Sequence, residues 1–297
     1  FEQSMGVSGC INWTIALILV EIYIRRREKQ LRKGENRYHT ENGFAVITSE
    51  DEFLDCVISH RSSDAKYDTR IVTLSFVKEK KAYLATPPGQ HFSIRAIING
   101  ETVTRSYTPI QTISKEGGVH LTKELCKPGF LSFAIKTYPN GKMSKYLNET
   151  APIGSSVKIL GPLGSFRLEE NEFSTLILIS AGSGITPLLS VVTQTLKKRT
   201  DKTRFILLAI KCPLEEQLEK LQNTYDSGRF SVQFLKGGRE NLDSTISGYL
   251  ETFAIKPTQQ IGCLLCGPVA FMQYVIRLLK KQGHSRHNIH AFGFDDR

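Results

Sequence analysis

Five short stretches of this 297-residue chain hold residues whose types and spacing could do chemistry. In "RSYTPI", Arg105 and Tyr107 fall on one face of a strand and Thr108 on the other. A guanidinium binds phosphate through two parallel N–H groups. An aromatic two residues on packs against a flat ring, and a neighbouring hydroxyl, Ser106 or Thr108, hydrogen-bonds a ring nitrogen. Together these suit a large aromatic cofactor with a phosphate tail. Taken alone, the hexapeptide reads equally well as a strand with a surface Arg and a core Tyr.

"IKTYPNGKMSKYL" supplies Lys136, Tyr138, Gly141, Lys142, Met143 and Ser144. At a helix start, "GKMS" would turn backbone N–H groups and the helix dipole toward an anion. The hydroxyl of Ser144 is one more donor, though a glycine turn before a surface helix would look the same. "GQHFSI", with His91, is the third stretch.

The fourth, "ISAGSGITPLLS", follows an apolar run and opens a helix. Gly182 and Gly184 let the chain turn close to a ligand. Thr186 suits an N-cap and Pro187 a first helical residue, so the helix N-terminus faces an anion. In the fifth, "LLCGPVAFM", Cys266 ends a strand and Gly267-Pro268 turns the chain. Met272 there fits helix core as well as a site, and Cys266 could be a small buried hydrophobe.

The elements around these stretches fall into two halves. From about Glu52 to Glu169, "TRIVTLSF", "HFSIRAII" and "FLSFAIKTY" alternate, and "SSVKILGP" closes on Gly-Pro. Short strands with glycine and proline turns predict an antiparallel barrel or sandwich, with one helix near Lys142 to Leu147. After Asn171, apolar strands such as "TLILISA" and "RFILLAI" alternate with helices such as "LEEQLEKLQNTY". That rhythm predicts a parallel α/β sheet, with ligands at the carboxyl ends of its strands.

The composition agrees with a globular protein: 40% of residues are apolar. The net charge of +10 is spread along the chain. It therefore suits an acidic partner or a membrane surface, or is simply a solvated surface. No aromatic-basic strand motif accompanies it, so nucleic acid is excluded as a partner. Six scattered cysteines fit a reducing compartment. Cys263 and Cys266 form one CxxC without a second ligand pair, so no metal is expected.

Residues 1–45 are ambiguous. The apolar run Ile11 to Ile24 with the basic flank to Lys33 fits a membrane anchor, although it is short and holds Glu21. "VEIYIRR" fits instead a strand, and resembles one near the end of CS domains. The first residue is Phe, which predicts a fragment or a processed form.

In combination, "RSYTPI", "IKTYPNGKMSKYL" and "GQHF" resemble the flavin domain of the ferredoxin-reductase superfamily, and most of all cytochrome b5 reductases. The long piece "TISKEGGVHLTKELCKPG" and the CS-like strand are similar to the multidomain members that carry haem, CS and reductase domains. The resemblance covers roughly residues 52 to 294. It implies an antiparallel β-barrel FAD-binding domain over 46–170, then a parallel α/β, Rossmann-like NAD(P)-binding domain over 171–297. It implies that Arg105 meets the FAD pyrophosphate, Tyr107 lines the isoalloxazine and Thr108 lies near its N5. Gly141, Lys142, Met143 and Ser144 would hold the pyrophosphate.

Thr186 would touch nicotinamide and flavin, and Cys266 would sit near the hydride-donating carbon. Phe292, with Phe294 as its rival, would cover the flavin or support the nicotinamide site. The reaction implied is hydride transfer from NADH to FAD, then single electrons to a cytochrome b5-type haem protein. The expected location is the cytoplasmic side of the endoplasmic reticulum membrane, or the cytoplasm. One departure stands out: Lys211 and Cys212 come where polar or acidic residues would bind the adenosine ribose, which leaves NADPH as the alternative coenzyme.

Overall fold

The structure is a computed structural model. It describes residues 37–39, 45–47, 49–62, 66–78, 83–84, 86–110, 128–196, 198–225, 228–235, 242–252 and 257–293. The apolar segment 11–24, the CS-like strand, Phe294 and nearly all of the long piece after "RSYTPIQ" lie outside these residues.

The first half contains strands β1 (Arg37–His39), β2 (Ala45–Ile47), β3 (Ser49–Arg61), β4 (Thr69–Phe76) and β5 (Tyr83–Leu84). It continues with β6 (His91–Ile98), β7 (Glu101–Tyr107), β8 (Pro109–Ile110), β9 (Phe130–Lys136) and β10 (Ser156–Leu163). Seven of these form one antiparallel sheet in the order β7-β6-β10-β3-β4-β9-β8. In β6 the buried residues Phe92, Ile94 and Ala96 alternate with less buried ones, so the two-residue period sets the core face. These residues pack with Ile58, Leu74, Phe133 and Ile159 into a core of their own.

One local expectation for this half needs correction. Strand β10 does not close at Gly161-Pro162 but runs through it to Leu163, with the pairing register shifting around the dipeptide. A bulge absorbs a proline that cannot donate to the ladder. The expected helix is present: α1 covers Lys142–Lys145 and widens into a π turn over Tyr146–Thr150.

The second half is a five-stranded parallel sheet. Its strands are β11 (Thr175–Ala181), β12 (Arg204–Ile210), β13 (Phe230–Leu235), β14 (Ile261–Cys266) and β15 (Ile289–Ala291), in the order β13-β12-β11-β14-β15. The helices are α2 (Ile185–Leu196), α3 (Glu215–Thr224), α4 (Leu242–Thr252) and α5 (Val269–Lys281). Residues Leu176 to Ser180 are all buried, as a strand covered on both faces requires. One face holds Ile177, Leu208 and Cys263 against Val275 and Leu279 of α5. The other holds Leu178, Leu207 and Leu264 against α2 and α3.

Helix α2 joins the halves. Eleven of its twelve residues are buried, because Ile110 and Ala134 of the first half share its hydrophobic cluster. Polar contacts add to this seam. The Gly89 N–H donates to Ser190 Oγ at 3.3 Å, and Gln194 Nε2 donates to the Thr86 carbonyl at 3.2 Å. Lys66 Nζ reaches Glu215 Oε2 at 2.7 Å, and that carboxylate raises the ammonium's pKa.

Candidate active site

A cleft of about 1370 Å³ runs between the halves. The end of β7 with Thr108, the end of β9 and the turn before α1 form one wall. The loops after β11, β12 and β14 form the other, all at carboxyl ends of the parallel strands.

On the first wall, Arg105, Ser106, Tyr107 and Thr108 all line the cleft. The strand breaks at Thr108, so this residue does not turn to the opposite face as alternation predicts. Arg105 is exposed and donates one N–H to the Thr104 carbonyl at 2.7 Å, which leaves the rest of its fork available. Tyr107 rests edge-on against Phe133, ring centroids 6.5 Å apart, and its burial pushes the phenol pKa up. His91, Lys136, Tyr138, Gly141, Lys142, Met143 and Ser144 complete this wall.

The Ser144 hydroxyl is committed to the turn. It donates to the Gly141 carbonyl and accepts from the Tyr138 N–H, each at 3.2 Å. Its role as a free side-chain donor to an anion is therefore replaced by a structural one. The first N–H groups of α1 are those a helix leaves without intrahelical partners, and Gly141 offers them no side-chain cap. Lys142 pairs with Glu101 on β7.

On the second wall, the loop glycines divide their work. Gly182 adopts φ +59 with open space around the position of a Cβ. Gly184 is needed for packing: a Cβ there would run into the Cys266 carbonyl and lie 2.8 Å from the Gly267 nitrogen. The two nucleotide-type loops thus lie against each other.

Thr186 is not the N-cap. The glycines let a 3-10 turn over Gly182–Gly184 begin the helix early, and Thr186 lies in the first α turn. Its hydroxyl donates to the Ser183 carbonyl at 3.2 Å. That carbonyl is the i−4 partner that Pro187, lacking an N–H, cannot serve. Both residues still line the cleft.

Cys266, Gly267 and Pro268 line the cleft, but Met272 does not. Met272 is 2% exposed and packs into the sheet–α5 core, so it is removed from the site. The helical period turns it inward with Val275, Ile276 and Leu279. The CxxC cysteines separate onto opposite faces of β14. Cys263 is fully buried, with a thiol pushed up to about 12, while Cys266 is partly exposed with its Sγ 4.0 Å from the Phe292 carbonyl. Cys212 is likewise core, its thiol raised to about 12 by burial, so it meets no ribose.

Phe292 closes one end of the cleft. Its ring packs on Phe166 and His290, with centroids 4.9 and 4.6 Å away, and Gly89 must lack a side chain beneath it. Lys211 sits at the end of β12 with φ +46 and also lines the cleft. Sequence reasoning missed Arg277, Tyr274 and Ala270, which line it from α5. Their i, i+4, i+7 spacing opposite the Met272 face was the available signal.

The lining holds five cations, Arg105, Lys136, Lys142, Lys211 and Arg277, and no carboxylate among the described residues. A long cleft with cations at both walls and half-buried aromatics between them fits dinucleotides, which pair phosphates with flat rings.

The fold and the cleft define a two-domain flavin and pyridine-nucleotide oxidoreductase. Residues 57–168 match the oxidoreductase FAD-binding domain and residues 178–277 the oxidoreductase NAD-binding domain. The chain is 28% identical over 236 residues to NADH-cytochrome b5 reductase 1 of Dictyostelium discoideum, covering 76% of this chain and 77% of that one. It is 30% identical over 213 residues to the Mortierella alpina reductase of that name, covering 69% and 67%. Against the Cryptococcus neoformans reductase the identity is 34%, and the chain spans only 49% of that protein's length.

Among solved structures, the CS-b5R domains of human Ncb5or share the fold, with a TM-score of 0.66 and 24% identity over 81% of this chain and 69% of that one. The cytochrome b5 reductase domain of Ulva prolifera nitrate reductase also scores 0.66, at 20% identity over 82% and 99%. The chain belongs to the cytochrome b5 reductase family.

Proposed function

We propose that this chain takes hydride from NADH onto FAD and passes electrons singly to a haem protein of the cytochrome b5 type. The observation that carries the reading is the single cleft on which both halves converge. The Arg105–Thr108 segment lies on one wall, and the loops holding Thr186 and Cys266 lie on the other. Bound FAD supplies the change from two-electron to one-electron chemistry.

The residues bind and orient. Arg105 and the first N–H groups of α1 would hold a diphosphate, with Lys142 beside them. Tyr107 and Phe292 would bound the flat rings, and Ser106 and Thr108 would hydrogen-bond a ring edge. Gly182, Gly184, Thr186 and Pro187 would seat the nicotinamide nucleotide, with Cys266, Gly267 and Pro268 across from them. No general base is required, because alignment at close range lowers the barrier. Residues 46–170 would hold FAD and 171–297 the nucleotide.

The acceptor reading draws support from the names of the relatives and from the net charge of +10. A basic surface attracts an acidic haem protein. Among the described residues no helix is long and apolar enough to cross a membrane. The apolar segment 11–24 with its basic flank supports attachment at the cytoplasmic face of the endoplasmic reticulum, which vesicle co-sedimentation of the full chain would check.

The function is tested by stopped-flow mixing of NADH-reduced protein with cytochrome b5 at rising ionic strength. Haem reduction that slows as salt increases is expected. A flavin that reduces with NADH but leaves cytochrome b5 oxidised would reject this acceptor.

A further inference from the structure

We propose that Asn148 is a positioning residue for the cofactor-holding wall of the first half. Its buried amide ties the end of β9 to the turn that follows α1, and so sets the spacing of Lys136 and Tyr138 against Gly141–Ser144. The inference rests on the reading of that wall as the FAD site.

Asn148 lies in the π turn over Tyr146–Thr150 and is 1% exposed. Its Nδ2 donates to the Ile135 carbonyl at 2.7 Å and to Thr137 Oγ1 at 2.8 Å. A carbonyl can only accept, so the atom facing Ile135 is the amide nitrogen. The two acceptors flank Lys136, which lines the cleft together with Tyr138. One side chain thus grips the strand end on either side of a cleft residue. The amide oxygen of Asn148 is buried and has no hydrogen-bond partner among the described residues. An orphaned oxygen is costly inside a core, so the two bonds donated by the nitrogen are what this side chain contributes.

The same element is fixed from behind. Arg61 of β3 donates from Nε to the Leu147 carbonyl and from Nη2 to the Ala151 carbonyl, each at 2.8 Å. Carbonyls at a helix end need such outside partners. The π turn itself is closed by the Ala151 N–H, which donates to the Tyr146 carbonyl at 2.9 Å. At the tip, the Ser144 hydroxyl closes the turn between Tyr138 and Gly141. Asn148 closes the base, so residues 137–144 are held between two fastened ends. A wall fixed in advance loses less freedom when a cofactor binds, and a site is only as well placed as the residues behind it.

The test is calorimetric binding of FAD to the flavin-stripped full chain, with amide hydrogen exchange over residues 137–144 in parallel. Asn148→Leu should weaken FAD binding by about tenfold or more, as the loss of two hydrogen bonds implies. It should also speed exchange selectively in 137–144. Thr137→Val removes one of the two acceptors from a half-buried position and should weaken binding by about threefold. Val157→Ala is the control. Val157 is 2% exposed in the core of the same half and does not line the cleft, so its truncation should lower Tm and leave FAD affinity unchanged.

Unchanged FAD affinity in Asn148→Leu, or an equal loss in Val157→Ala, would overturn the inference. Should Asn148→Leu fail to fold, Thr137→Val decides, and unchanged affinity there would overturn it. Wild-type protein that takes up no FAD would instead reject the proposed function. Selective exchange in 137–144 would then still support the positioning role, and exchange that is unchanged, or faster throughout the half, would overturn it.

Discussion

Arg105 and Cys266 stand on opposite walls of the cleft, and they should fail in different ways. Arg105→Ala removes a charged fork that no other described residue on β7 replaces. Its loss should weaken FAD retention by about 10- to 100-fold, the range for one charge-assisted hydrogen-bonding group. Flavin absorbance per protein after gel filtration reads this directly. Cys266→Ala should keep its flavin and slow hydride transfer by about tenfold or more, as misplacement of reacting partners does. Flavin loss with full turnover per remaining flavin would reverse the assignment of the two walls.

Much of this site was legible as residue types in local order, because strand alternation and glycine turns are local properties. Met272 and Ser144 each left two readings open for a related reason. Sequence shows that a side chain can reach a site, but only packing shows where it is spent. Ser144 closes its own turn, and Met272 faces the sheet. Arg277 was missed because one cation on an amphipathic helix looks like any solvated one.

At the scale of elements, the two nucleotide-side loops form a pair. Gly184→Ala would place a methyl group against the backbone of Cys266 and Gly267, which cannot swing aside as a side chain would. Overpacking of this kind costs about 1–3 kcal/mol. A lower Tm together with weaker coenzyme use is expected, and an unchanged Tm would show that the loops are not in contact.

The chain following α5 carries a pH signature. His284 is 5% exposed, close to Cys263 Sγ at 3.7 Å, and burial lowers its pKa below the usual value for histidine. The neutral ring is therefore favoured when folded. Above about pH 6.5, the ordinary value, the folded and unfolded forms bear the same charge and nothing is lost. As pH falls below that value, the unfolded chain binds a proton that the folded ring resists, and stability declines until the folded pKa is passed. Thermal unfolding from pH 8 to pH 5 should show this decline, and His284→Asn should flatten it.

Continuous apolar runs made β11 and β12 legible, since a strand covered on both faces needs no alternation. The start of α2 was not. Thr186-Pro187 has the pattern of a cap, but two preceding glycines allow an earlier 3-10 turn, and the sequence does not rank the two.

At the scale of the molecule, α2 is the seam between the two halves. Its residues are covered by the parallel sheet on one side and by Ile110 and Ala134 of the barrel-type half on the other. This burial, with the Gly89–Ser190 and Lys66–Glu215 contacts, fixes the walls of the cleft relative to each other. The two-half architecture was legible from the change of rhythm near residue 171, whereas the seam itself was not, because it joins residues far apart in sequence. The central claim is that both cofactors meet in this one cleft. The measurement that tests it most directly is anaerobic titration of the purified yellow protein with NADH, followed by flavin absorbance. Complete bleaching by one equivalent of NADH per bound flavin is expected. A protein that binds no FAD, or a bound flavin that NADH leaves oxidised, would contradict it.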